Sequence, residues 1–334
     1  MSRPLRPSYV ALALACLLAI PGLPGLAGSA ATAAAPTPHP VSVGVSVIPG
    51  TAALNRRVPV AGTVVDATTH GPVAGVRVAL EIRSAHGWAR PPGAAVVTDD
   101  HGRFTLNAPT FYYGRHVFRV AAAAHVGVDA TIAAGASAAG AVTVPMPYRP
   151  AGRASAGRTD STQFDPCEPI PVRINYAGAP RNAHALVAAA LTRARAATGL
   201  TFTYAGRYSG VPFSRQRNGG LPPSGIGFAW STSRTVSGLA GPTIGLGGGG
   251  WAINDRRTSS GVVIDRSFHF RQGWTGPNSI GGLLLHELGH ALGLEHVKDR
   301  SQQMYPLDIG APNGNYNRGD LAALRRVGLD AGCL

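Results

Sequence analysis

Three histidines and two glutamates fall within one eleven-residue stretch, His286-Glu287-Leu288-Gly289-His290-Ala291-Leu292-Gly293-Leu294-Glu295-His296, and Met304-Tyr305-Pro306 follows, Met304 standing eight residues after His296. On a helix, residues four apart lie about 6 Å along the axis on nearly the same face, so His286 and His290 can share one metal ion. A straight helix cannot aim a third imidazole from the next turn at that ion. Gly293 supplies the remedy, because a glycine can take the positive φ that ends the helix and swings His296 back beneath the metal. Three neutral imidazoles leave one coordination position open, which is the layout of a catalytic zinc site rather than a closed, thiolate-rich structural one. Glu287 is placed beside the ligands as a proton carrier.

The spacing, with Met304 after it and Gly319-Asp320-Leu321 ahead of a short final helix, resembles the zinc signature and Met-turn of the metzincin metalloproteases, and of their matrixin branch in particular. The resemblance implies one catalytic Zn2+ on His286, His290 and His296, with Glu287 as general base toward an attacking water. It makes Met304 an apolar floor under the ligands. Tyr305 follows the methionine directly, whereas the branches that use tyrosine as an extra ligand have one residue between, so Tyr305 is assigned to packing or a pocket wall. The implied architecture is a mixed twisted sheet with backing helices, a zinc helix and a C-terminal helix.

The elements that must position these groups lie between Asp165 and Leu334. Pro169 to Tyr176, Leu200 to Tyr204, Gly225 to Ser231 and Gly261 to Asp265 read as strands. Asn182 to Thr198 reads as a helix ended by Gly199. The zinc helix opens at Asn278 or Ser279, and a last helix from about Arg318 to Val327 carries Asp320. The glycine-rich run Thr243 to Trp251 has two open readings: a bare edge strand along which a peptide backbone can pair, or a flexible loop. No GK[ST] follows it, so it is no phosphate loop.

Upstream, Met1 to about Ala33 reads as a secretory signal, with Arg3 and Arg6, an apolar run from Val10 to Ile20 stopped by Pro21, and Ala31-Thr32-Ala33 as cleavage site. That run is too short to span a bilayer, so no membrane span remains after its removal, and Cys16 leaves with it. Residues 34–40 form a short linker. Residues 41–148 alternate apolar and polar in short runs between turn clusters, the pattern of an all-β sandwich. They resemble the Ig-like or transthyretin-like modules found beside secreted bacterial enzymes. Residues 149–164, rich in Ala, Gly, Arg and Ser, read as an exposed linker open to cleavage. The fold class is therefore multidomain: a sandwich at residues 41–148, then an α+β zinc-protease domain at residues 165–334.

After signal removal only Cys167 and Cys333 remain, and in an exported chain they suggest one disulfide, the alternative being two independent thiols. No cysteine stands where matrixin latency would need one. His184 and His269 are the other histidines of the domain and read as surface or packing residues rather than ligands of a second zinc. Ca2+, the other metal of the family, has few acids to hold it; Asp99-Asp100 reads as a turn.

The formal charge is +14, almost all of it arginine. Such a surface suits anionic cell-wall polymers, although an arginine-biased codon usage gives the same composition with no partner at all. The charge is scattered and not interleaved with aromatics, which argues against specific nucleic-acid recognition. The expected function is a secreted zinc metalloendopeptidase acting on polypeptide. The alternatives are a cell-surface binding or adhesion protein with a vestigial zinc site, and a peptidoglycan-directed zinc amidase.

Overall fold

The computed structural model describes residues 37–84, 87–91, 93–127, 131–145, 159–160, 162–250, 252–307 and 313–334. The expected signal at 1–33 with Cys16, residues 34–36 and 146–148, most of the 149–164 stretch, and Trp251 lie outside them.

The N-terminal sheets follow from strict alternation. Arg57–Asp66 buries every second side chain, as a strand covered on one face must. It pairs antiparallel with Val41–Val47 on one side and Arg103–Pro109 on the other. A second antiparallel sheet is built on Arg77–Ser84 and Gly114–Ala122. Val60, Val64, Phe104 and Leu106 of the first sheet share one core with Val78, Leu80, Phe118 and Val120 of the second. The Asp99 carboxylate accepts from the His101 and Arg103 N–H groups, which is the turn-forming role expected of it.

The C-terminal sheet has five strands: β1 (Ile170–Ile174), β2 (Phe202–Arg207), β3 (Gly225–Ser231), β4 (Gly245–Gly248) and β5 (Ser259–Asp265), in spatial order β2-β1-β3-β5-β4. All pairings are parallel except that of β4 with β5. β3 and β5 are buried throughout, as parallel strands covered on both faces must be. Helix α1 (Ala183–Thr198) ends at Gly199, whose φ of 76° gives the left-handed cap expected of a terminating glycine. It lies against α2 (Ile280–Ala291) and α3 (Arg318–Arg326). Their apolar faces join Val172, Ile174, Ile226, Phe228 and Val262 in one core. On the other sheet face Val236, Leu239, Val263 and Leu246 form a smaller cluster that holds down the β3–β4 connection.

Cys167 and Cys333, 166 residues apart, are joined as a disulfide. The bond ties the segment ahead of β1 to the end of the chain. Among the described residues no helix is long and apolar enough to cross a membrane.

Candidate metal centre and cleft

Helix α2 starts where Ser279 caps it, its hydroxyl accepting from the Gly282 N–H; Asn278, with φ of 55°, is a turn residue before the cap. The helix is apolar on nearly all sides because β4, β5 and α1 pack around it. One side of it lines a cleft, and there His286 and His290 project. Gly293 has φ of 104°, and the chain reverses on it. His296 returns to the same point.

The three Nε2 atoms form a nearly regular triangle with sides of 3.1, 3.2 and 3.1 Å. His286 Nδ1 lies 2.8 Å from the Gln303 carbonyl oxygen and His290 Nδ1 lies 2.7 Å from that of Leu294. A carbonyl can only accept, so both Nδ1 atoms carry the hydrogen and both Nε2 atoms present lone pairs. Facing lone pairs at that separation repel, and a shared cation removes the repulsion. Metal–nitrogen bonds of about 2.0–2.1 Å at tetrahedral angles put ligand nitrogens about 3.3–3.4 Å apart, close to the observed triangle. The donor set therefore fits a zinc-type cation.

Burial, and then the neighbouring imidazoles, hold His286 down to about 3. Burial holds His290 down to about 4 and also lowers His296. The triad stays neutral across the physiological range, as metal ligands must.

Met304 is fully buried, its side chain against Gly289 of the zinc helix. A side chain at Gly289 would strike the Met304 sulfur at 2.4 Å, so the glycine of the zinc helix makes room for the floor. The Met-turn is held from α3: Asp320, with no exposed surface, accepts from the Gln303 N–H at 2.7 Å, the Met304 N–H at 3.2 Å and the Asn317 N–H at 3.0 Å. Burial pushes the Asp320 carboxyl up to about 6, against the pull of those three donors. Asp320 thus reaches His286 through one residue, since the Gln303 carbonyl takes the His286 Nδ1 hydrogen. Tyr305 packs beside Arg300, whose guanidinium lies 5.6 Å from its ring. The cleft wall beyond it is formed by Pro306 and Leu307.

The glycine run resolves as an edge strand. β4 pairs with β5 through Gly245–Ile264 to Gly248–Gly261, and its other face lies against α2. A Cβ at Gly247 would sit 2.0 Å from the Glu287 carbonyl oxygen, and one at Gly245 would sit 2.8 Å from the Glu287 carboxylate. Strand and zinc helix touch backbone to backbone only because these side chains are missing. Glu287 is largely buried, at 6% exposure, and shares a cleft of about 720 Å3 with the triad, Ile244 to Gly247, Phe268 and Leu283.

His184 stands apart, bonded to the Tyr176 hydroxyl and edge-on to Tyr204. Sequence reading missed two groups here. Gln302 Oε1 accepts from the Gly319 and Asp320 N–H groups, and Tyr316 donates its buried hydroxyl to the Leu285 carbonyl. Neither has a local signal, because each partner lies more than a dozen residues away.

Residues 250–326 match the family model described as Matrixin, Peptidase_M10. No curated protein matches the chain. Among solved structures, metalloproteinase-II from Bacteroides fragilis is similar at 10% identity, over 86% of this chain and 87% of that one, with a TM-score of 0.32. A conjugative transposon lipoprotein from Bacteroides eggerthii DSM 20697 is similar at 11% identity, over 31% of this chain and 96% of that one, with a TM-score of 0.18. With its histidine triad assembled and its 250–326 stretch matched, the C-terminal part of this chain is a matrixin zinc-metallopeptidase domain.

Proposed function

We propose that the protein is a secreted endopeptidase that hydrolyses internal peptide bonds of polypeptides with Glu287 as general base. The observation that carries this reading is the placement of Glu287 in one open cleft with the triad, beneath a bare edge strand. His286, His290 and His296 would hold one Zn2+, which when bound polarises a carbonyl and acidifies water. The chain's own groups do the rest. β4 offers its free edge to an extended peptide, which pairs as an added strand and so presents its backbone to Glu287. Glu287 takes a proton from the attacking water and delivers it to the leaving amine. Its nearly buried position favours proton transfer over solvation of the charge. The sandwich serves attachment or positioning, and the arginine-rich surface favours anionic cell-wall polymers.

Hydrolysis of casein by the purified protein, beside Glu287→Gln with zinc content measured in both, tests the reading. Internal cleavage by the parent, with about 10²–10⁴-fold less in the variant at equal zinc, is the expected result. Equal zinc with no cleavage by either would favour the adhesion or amidase alternative. Sequencing the N-terminus of the exported protein checks the signal at residues 1–33.

A further inference from the structure

The stretch ahead of the catalytic sheet is built into the metal centre. Thr159 bridges Leu294 in antiparallel register, and the Asp160 N–H donates to the Gly293 carbonyl at 2.8 Å. Gly293 and Leu294 are the two residues on which the zinc helix reverses. The Leu294 carbonyl is the acceptor for His290 Nδ1. One short turn is thus gripped from outside by the stretch 159–160 and from inside by a ligand histidine.

Side chains complete the grip. Arg257, 4% exposed, donates through Nη2 to the Asp160 carboxylate and to Thr162 Oγ1, and through Nη1 to the Gly249 carbonyl at 3.1 Å. Asp160 Oδ1 also accepts from the Thr162 N–H. Gln163 pairs through its backbone with Asp255 and Arg257. A Cβ at Gly293 would lie 2.9 Å from the Thr162 carbonyl oxygen and 3.1 Å from Asp160 Oδ1, so the stretch is packed onto the glycine itself. Arg257 therefore joins three things: the end of the edge strand, the incoming chain and the turn between the second and third ligands. A buried guanidinium is kept where its charge is answered, and here Asp160 answers the charge through Nη2 while the Gly249 carbonyl takes Nη1.

We propose that Asp160 and Arg257 form a clamp that positions His290 and His296, and that the catalytic unit begins at Thr159 rather than after the interdomain stretch. Asp160 is a positioning residue: it acts through the Gly293–Leu294 peptide and touches neither metal nor substrate. The inference rests on the zinc site proposed above but not on proteolysis.

The test is zinc affinity of the full chain by chelator competition, for Asp160→Ala and Asp160→Asn. The cobalt-substituted protein's visible spectrum reports ligand geometry in the same samples. Asp160 is 39% exposed, so the isosteric Asn variant leaves the core packing alone. Asp330→Ala, at the unrelated Arg325–Asp330 ion pair, is the control. Removing a group that orients a metal ligand weakens affinity by about 10–100-fold, and both Asp160 variants should show a loss of that size with a shifted cobalt spectrum. Affinities within twofold of the parent with an unchanged spectrum overturn the clamp, as does an equal loss in Asp330→Ala. If the parent binds zinc but cleaves no protein, the endopeptidase reading falls while the clamp is still judged on affinity.

Discussion

Asp320→Ala should cut one linkage that reaches from the last helix to a metal ligand. The carboxylate satisfies three backbone N–H groups. Gln303 and Met304 are buried, whereas Asn317 is half-buried at a helix start, where water can replace the lost acceptor. Two donors are then left without partners, at about 1–3 kcal/mol each, for a total of about 4 kcal/mol. That is a large share of the stability of an ordinary domain. The second consequence is local to the site. The Gln303 carbonyl orients His286, so a loosened Met-turn should also weaken zinc binding by about 10–100-fold. The assay is urea unfolding of the metal-free protein, to read stability alone, beside chelator competition for zinc. A loss below about 1 kcal/mol would show that the three bonds contribute little net stability. A large loss of stability with zinc affinity unchanged would refute the route through Gln303, leaving Asp320 as a fold residue only.

Two further outcomes follow from the same geometry. The folded site holds His286 down to about 3 and His290 to about 4, chiefly through burial, so below about pH 6.5 the unfolded chain binds protons that the metal-free folded site refuses. Metal-free protein should therefore lose stability as pH falls from 7 to 5, read as a lower urea midpoint, and His286→Asn with His290→Asn should flatten the difference. A parent midpoint no lower at pH 5, or the same slope in the double variant, refutes it. Replacing Cys167 and Cys333 together by serine opens a loop of 166 residues and should cost about 5 kcal/mol in the chain-entropy limit, measured by denaturation of both forms. A cost under about 1 kcal/mol would mean that packing already holds the chain end in place.

The sequence by itself determined whatever is encoded within a turn or two of chain. The i, i+4 histidines fix a shared helix face, Gly293 ends that helix because only a glycine takes its backbone angle cheaply, and alternation marks Val58 to Val65 as a strand, which the structure extends to Arg57–Asp66. Gly199 and the whole of β3 were legible for the same reason. Tertiary structure decided the rest. Thr243 to Trp251 carries no periodicity to separate a strand from a loop, and Gly245–Gly248 is a strand because β5 offers hydrogen bonds and α2 leaves room only for bare backbone. Cysteine spacing cannot report distance, so pairing had to await the fold. Asp160 and Gln302 look like ordinary polar residues, and Gly319-Asp320-Leu321 marks Asp320 without naming its partners. Their roles arise from buried N–H groups and a guanidinium brought to them from elsewhere in the chain, and a buried donor without a partner is costly wherever in the sequence its acceptor lies.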